Sequence, residues 1–163
     1  MGGLCPPSEG FAATTFYVVV YVVTSLGAFA VIASLADGRG EPMTFDQWRG
    51  LGYRHPVRCG VLVLLLLSLA GLPATAGFMA KFAVLHAAVQ SGYIGLLMIG
   101  ILASVISFAF YLRVTMLLFQ PDEKASSWHQ GSVFEHTVLA VCSSAVLVLG
   151  LFPGLLFGLI RQI

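Results

Sequence analysis

From Phe11 to Ala36, and again from Thr137 to Ile160, the sequence places no charged side chain at all. Apolar runs of about eighteen residues or more are read as membrane spans, because a helix needs about 20 residues to cross a hydrocarbon layer of about 30 Å. Two further apolar blocks lie between these, roughly 60–90 and 93–119. The composition agrees, with 58% apolar and 9% charged residues, where a soluble domain carries about a quarter charged. The expected fold class is therefore an all-α polytopic membrane helix bundle of about four transmembrane helices.

Turn residues and charges punctuate the blocks. Asp37-Gly38-Arg39-Gly40 closes the first span, about 11–36, and opens a polar loop to Arg58. That loop carries Arg39, Arg49, Arg54 and Arg58 against Asp37, Glu41 and Asp46. The second block, 60–90, is interrupted at 71–77 by Gly71-Leu72-Pro73-Ala74-Thr75-Ala76-Gly77. Proline removes a helix donor and clashes with the preceding turn, and glycine loosens the backbone. Each half would be only about 12 to 14 residues, near 20 Å, too short to cross alone. One discontinuous helix is expected rather than two spans. Ser91-Gly92 leads to the third span, 93–119, which ends at Gln120-Pro121-Asp122. The fourth is expected over 137–160. The segment 1–10 is Gly/Pro-rich and lacks a basic region followed by a short apolar core, so no cleavable signal peptide is expected.

Loop charges orient the chain. The loop after the first span has four arginines, and the loop after the third has Arg113 at its edge and Lys124. The turn between the second and third spans has none, and the far end has Arg161 alone. The positive-inside rule puts both arginine-bearing loops in the cytoplasm and both termini on the opposite side.

Several function classes find no support. A net charge of +1 with no basic run offers nothing to nucleic acid. Cys5, Cys59 and Cys142 are far apart, neither a disulfide framework nor a metal site. No glycine-rich stretch follows a strand, and no metal-ligand cluster or nucleophile triad is visible. Any redox chemistry belongs to other chains.

The residue out of place is Lys81. With His86 it is the only Lys, Arg, His, Asp or Glu between Gly60 and Leu112. It lies about ten residues, roughly 15 Å of helix, from the Ser91 turn, near mid-bilayer. A central lysine costs about 2.5 to 3.5 kcal/mol on insertion scales, which is tolerated where the side chain faces a polar or watery interior. Irregular backbone at membrane depth likewise survives only when buried in protein or lining a cavity. The break and the amine together suggest a hydrated pocket in which Lys81 exchanges protons during turnover. The competing reading is a lysine neutralised in the interior or paired with a carboxylate from another helix.

Weaker signals surround it. Tyr17, Tyr21 and Thr24 repeat at i, i+4, i+7 on the first span, and Ser104, Ser107 and Tyr111 at i, i+3, i+7 on the third. Such stripes suit a water path, though hydroxylic residues also serve ordinary helix packing in membranes. His86 is about 140° round the helix from Lys81, so the two do not share a face. It is either a later relay station or a satisfied interface histidine. Arg113 suits anchoring to headgroups or to a neighbouring subunit.

The run Ser68-Leu69-Ala70-Gly71-Leu72-Pro73-Ala74-Thr75-Ala76-Gly77-Phe78-Met79-Ala80-Lys81-Phe82 resembles a signature of the antiporter-like membrane subunits of respiratory complex I, NADH-quinone oxidoreductase. Ser25-Leu26-Gly27-Ala28-Phe29 before it, Leu51-Gly52 with Arg54-His55-Pro56, and Tyr111-Leu112-Arg113-Val114 after it fit in order. The match looks closest to the subunit N branch. The sister subunit M pattern carries a glutamate where Lys81 stands, and Tyr111-Leu112-Arg113 also favours N.

The resemblance implies that Lys81 is a central proton-channel residue and that Gly71, Pro73 and Gly77 mark the family's helix break. His86, Ser104, Ser107 and Tyr111 are then candidates for the proton path. It implies a multi-pass protein of the bacterial inner membrane whose partners are the lipid bilayer and other complex I membrane subunits. No cofactor is expected in this chain, and NADH, quinone, flavin and iron–sulfur clusters belong to partner subunits. Family members have about fourteen spans in inverted repeats, and this chain resembles only the last four. It is therefore expected to be a C-terminal fragment, with a separate chain possible as the source of the missing helices. Alternatives are a subunit of a multi-subunit cation/proton antiporter, a non-catalytic scaffold bundle and an inactive fragment.

Overall fold

The computed structural model describes residues 7–35 and 45–121, together with residues 141, 144, 146 and 148. Among these residues the regular structure is helical, without strands. Helix α1 runs Pro7–Ser34, and after a 3-10 turn at Phe45–Trp48 comes a single turn, α2, Leu51–Arg54. Helices α3, Pro56–Ala70, and α4, Ala76–Gln90, follow across the break, and α5 is Ile94–Leu118. The fourth expected span falls mostly outside the described residues, of which Val141, Ser144, Val146 and Val148 are helical.

Four boundaries differ from the sequence expectation, the first being the start of α1 at Pro7, ahead of Phe11. The first helix ends at Ser34, ahead of the charged cluster. Helix α3 starts at Pro56, so Arg58 belongs to a helix and not to the polar loop. Proline is well suited to a first helical position, where its missing N–H would be unpaired anyway. The break is shorter than 71–77, because Ala76 and Gly77 are already helical.

Contacts fix how the helices run. Ala28 and Val31 of α1, and Leu35 just after it, pack with Cys59, Leu62, Leu65 and Leu66 of α3. Phe16 and Val20 of α1 pack with Ala76 and Ala80 of α4. As α1 is followed backwards, α3 and then α4 lie beside it in order. The two halves thus form one interrupted rod antiparallel to α1, not a hairpin. Helix α5 returns alongside them: Gly100 meets Leu85 of α4, and Leu118 at its far end joins the α3 core.

Lengths suit a bilayer. The 25-residue apolar stretches Gly10–Ser34 and Ile94–Leu118 each reach about 37 Å, beyond the roughly 30 Å hydrocarbon layer. Each 15-residue half of the rod reaches only about 22 Å, so neither crosses without the other. Leu102, Val105 and Ile106 of α5 are more than half exposed, as hydrocarbon-facing side chains are. In lipid the fully buried Phe16, Leu62 and Leu65 hold helices together through close van der Waals packing, since apolar transfer gives little there.

Where the polar loop meets the bundle, Arg58 is buried and its Nη1 donates to the Ser34 carbonyl at 2.8 Å. A guanidinium at the carbonyl end of α1 complements the helix dipole and one of its unpaired acceptors. That ties the end of the first helix to the start of the rod.

Candidate functional site

The break is built from local hydrogen bonds. Gly71 takes the left-handed conformation, φ 91°, and its N–H donates to Ser68 O at 3.0 Å while the Leu72 N–H reaches Leu67 O at 3.0 Å. This pair of bonds is a Schellman motif, which ends α3 at Ala70. The Thr75 N–H then donates to Leu72 O at 3.2 Å, closing a four-residue turn with Pro73 second and Ala74 third at φ 73°. That is the type II pattern, in which proline suits the second position and the third needs a positive φ. Proline therefore sits in the turn, and glycine ends the helix.

Helix α4 begins against α3. The Gly77 N–H donates to the buried Ser68 Oγ at 3.1 Å, satisfying one of the first-turn donors that a helix leaves unpaired. A β-carbon on Gly77 would overlap the Ser68 carbonyl. Gly77 is thus required by close approach, not by flexibility. Ser68 and its role were missed in the sequence, because nothing local marks a serine whose partner lies nine residues on.

Lys81 lies on the second turn of α4 and folds back onto the break. Its Nζ donates to Ala70 O at 3.1 Å, one of the last carbonyls of α3, where no helical N–H remains to take it. Its Cδ would be 3.2 Å from a β-carbon at Gly71, so the residue ending α3 leaves room for the side chain that caps it. The negative end of a helix dipole is a favourable place for a positive charge. Among the described residues the amine's hydrogen-bond partner is a backbone carbonyl and not a carboxylate.

Beside the amine is a cavity of about 370 Å³. Tyr17 and Tyr21 of α1, Lys81 of α4, and Ser104, Ser107 and Tyr111 of α5 line it. Tyr17 and Tyr21 of the first stripe and all three residues of the second thus meet the lysine on one cavity, an arrangement their spacing alone left open. Ser104 Oγ donates to Gly100 O and Ser107 Oγ to Ala103 O, each at 2.8 Å. Each hydroxyl keeps lone pairs that can accept from water. A narrow gap that also touches Lys81, Tyr17 and Tyr21 has Thr24, Ser68 and Gly77 in its lining.

His86 is not brought to this cavity. It is exposed, stacks on Phe82 at 6.0 Å and stands 3.5 Å from Gln90 Nε2. The helical offset from Lys81 carries it to the outer face of α4. Arg113 is exposed on the last turns of α5, away from the lysine. Among the described residues no cluster of His, Cys, Asp and Glu could hold a metal ion.

An amine on a carbonyl at a broken helix, with hydroxyls and room for water beside it, can accept a proton, hold it and return it. A discontinuous helix whose carbonyl end faces an ion or proton site is a recurring device in membrane transporters.

Comparison with known proteins places these residues in context. Residues 1–107 match the family described as NADH:quinone oxidoreductase/Mrp antiporter, transmembrane. The NADH-quinone oxidoreductase subunit N of Syntrophotalea carbinolica is 41% identical over 92% of this chain and 32% of its own length. A solved respiratory complex I from Thermus thermophilus with bound aureothin contains a chain with a TM-score of 0.78 and 28% identity, over 90% of this chain and 34% of that one. The Mrp complex from Dietzia shares the fold, with a TM-score of 0.81 at 19% identity, over 94% of this chain and 37% of the other. The chain spans about a third of the length of the curated relatives it matches.

Proposed function

This chain belongs to the NADH:quinone oxidoreductase/Mrp antiporter transmembrane family, and from that premise we propose that it forms the lysine-bearing part of a proton-translocating subunit N. In this reading it is a multi-pass protein of the bacterial inner membrane, with spans near 11–36, 60–90, 93–119 and 137–160 and both termini opposite the cytoplasm. Partner subunits oxidise NADH and reduce quinone with flavin and iron–sulfur clusters. This chain contributes the membrane proton step of a translocase, beside other membrane subunits.

The observation that carries the reading is the Lys81 Nζ–Ala70 O contact at the rim of the 370 Å³ cavity. Lys81 takes a proton from cavity water and holds it against the carbonyl end of α3. When the helices around the break shift, the amine leaves that carbonyl and passes the proton on. Ser104, Ser107 and Tyr111 orient water beside it. Each charge moved against the membrane potential costs about 2.3 kcal/mol per 100 mV, which the redox partners supply.

The test is Lys81→Ala in the assembled complex, with NADH-driven proton uptake followed in inverted vesicles. Loss of proton uptake at an intact level of assembly is expected. Wild-type, quinone-dependent pumping would sink the proposal. Sodium-dependent transport without quinone linkage would point instead to an antiporter complex. The 41% identity to a chain named subunit N favours the quinone-linked reading, since the likeness to the Mrp complex is one of fold.

A further inference from the structure

A second cavity of about 350 Å³ continues from the first along the bundle, towards the Trp48 end. Ala28, Phe29 and Ile32 of α1, Leu62 and Leu66 of α3 and Val114 of α5 are among its walls. Apart from the Ser25 hydroxyl, the Trp48 indole and the phenols it shares, the lining is apolar. Three residues line both cavities, one from each of three helices: Tyr21 of α1, Leu69 of α3 and Tyr111 of α5. Their ring neighbours sort by side. Tyr17, stacked on Tyr21 at 6.0 Å, lines only the lysine cavity of the two, and Phe110, edge-on to Tyr111 at 5.6 Å, lines only the apolar one.

The two chambers differ in what they offer water. The first presents an amine and several hydroxyls, and a buried water needs two to four such partners. The second offers water few partners, the character of cavities that stay dry, and dry apolar constrictions block ions by dewetting. A proton carrier must not be open to both sides at once. We propose that Tyr21, Leu69 and Tyr111 form a gate, a partition that keeps the Lys81 cavity wet and the chamber leading to Trp48 dry in this conformation. The proton reaches Lys81 from the Trp48 end, the cytoplasmic one in this reading, only when the two phenol rings move aside and water enters the second chamber. This deepens the reading of Lys81 as a proton carrier and rests on it.

Water itself can be measured, apart from proton transport. In the full chain, with its three cysteines changed to alanine and held in membrane vesicles, Ser104→Cys reports on the lysine cavity and Ala28→Cys on the dry chamber. A small, charged, water-borne thiosulfonate is the probe. Ser104→Cys is expected to react, and Ala28→Cys at least about tenfold more slowly, as a dewetted site requires. Adding Tyr111→Ala should bring the Ala28→Cys rate up to that of Ser104→Cys, whereas Tyr111→Phe, which keeps the ring, should leave it slow. Tyr21→Ala supplies the same comparison if Tyr111→Ala does not accumulate, and an unchanged Ser104→Cys rate shows that the lysine cavity is intact. Equal rates at the two reporters in the starting chain, or a slow Ala28→Cys after loss of either ring, would overturn the gate. Either result leaves Lys81's role standing, while failure of the Lys81→Ala test removes that role without touching the partition.

Discussion

The Gly77 amide donates to the Ser68 hydroxyl across the helix break at 3.1 Å, and the Ser68 carbonyl lies where a Gly77 side chain would begin. One serine thus sets both how α4 starts and how closely it approaches α3. Lys81, one turn further along α4, inherits its position from this contact.

Gly77→Ala should force the two halves of the rod apart. Overpacking of this kind costs about 1–3 kcal/mol, and here the obstacle is backbone, which cannot rotate away. Ser68→Ala should cost a similar amount, about 1–3 kcal/mol, because it strands a buried donor. Thermal unfolding in detergent measures both. An unchanged midpoint in Gly77→Ala would contradict the close approach.

Ala74 holds φ 73° with a side chain attached. The left-handed region costs an L-residue about 1–2 kcal/mol, which exceeds the roughly 0.4–1 kcal/mol that glycine loses through the unfolded chain. Ala74→Gly is therefore expected to raise thermal stability by up to about 1 kcal/mol. A lowered midpoint would show that the turn is not the type II form.

Arg58→Met removes the charge-assisted bond to Ser34 O while keeping an apolar stem. Hydrogen bonds to charged groups contribute about 1.5–3 kcal/mol, so a loss in that range is expected. Hydrogen exchange should localise it to the last turn of α1 and the first of α3. Protection unchanged at Ser34 and its neighbours would mean that the bond does not tie the two helices.

His55 makes the α2–α3 corner pH-sensitive. Burial, with Arg58 and Arg54 beside it, holds its imidazole below the ordinary value of 6.5, and its buried Nε2 has no hydrogen-bond partner. Between the folded and unfolded values the unfolded chain holds a proton that the folded one does not, so stability rises with pH there. The contribution is complete above about 6.5 and declines as pH falls towards the folded value. Protection at the corner, once corrected for the intrinsic slowing of amide exchange in acid, should fall between pH 7 and 5, and His55→Asn should flatten that change. The same excess slope in both chains would assign it elsewhere.

Local order in the chain was legible where it depends on neighbours in sequence. Uncharged runs gave the long helices, and the Gly71–Gly77 interval gave the break, since a left-handed glycine and a turn proline act within a few residues of themselves. The cause assigned to each was less accurate: Gly71 ends α3, Pro73 shapes the turn, and Gly77 is helical. Arg58 was misplaced in the loop because its partner, the Ser34 carbonyl, is distant in the chain. The sequence leaves His86 either a later relay station or an interface histidine off the Lys81 face, and it stands exposed on α4.

The sequence by itself determined that apolar helices form, that one of them breaks, and that a lysine stands just beyond the break. Those outcomes follow from backbone chemistry and from what hydrocarbon excludes. Only the tertiary structure decided where the amine rests, since Ala70 O becomes available by the return of α4 against α3. It alone set Tyr17, Tyr21, Ser104, Ser107 and Tyr111 on one cavity, and Tyr21, Leu69 and Tyr111 between two. Helical periodicity puts residues on a common face of their own helix, but which faces meet depends on packing between helices far apart in the chain.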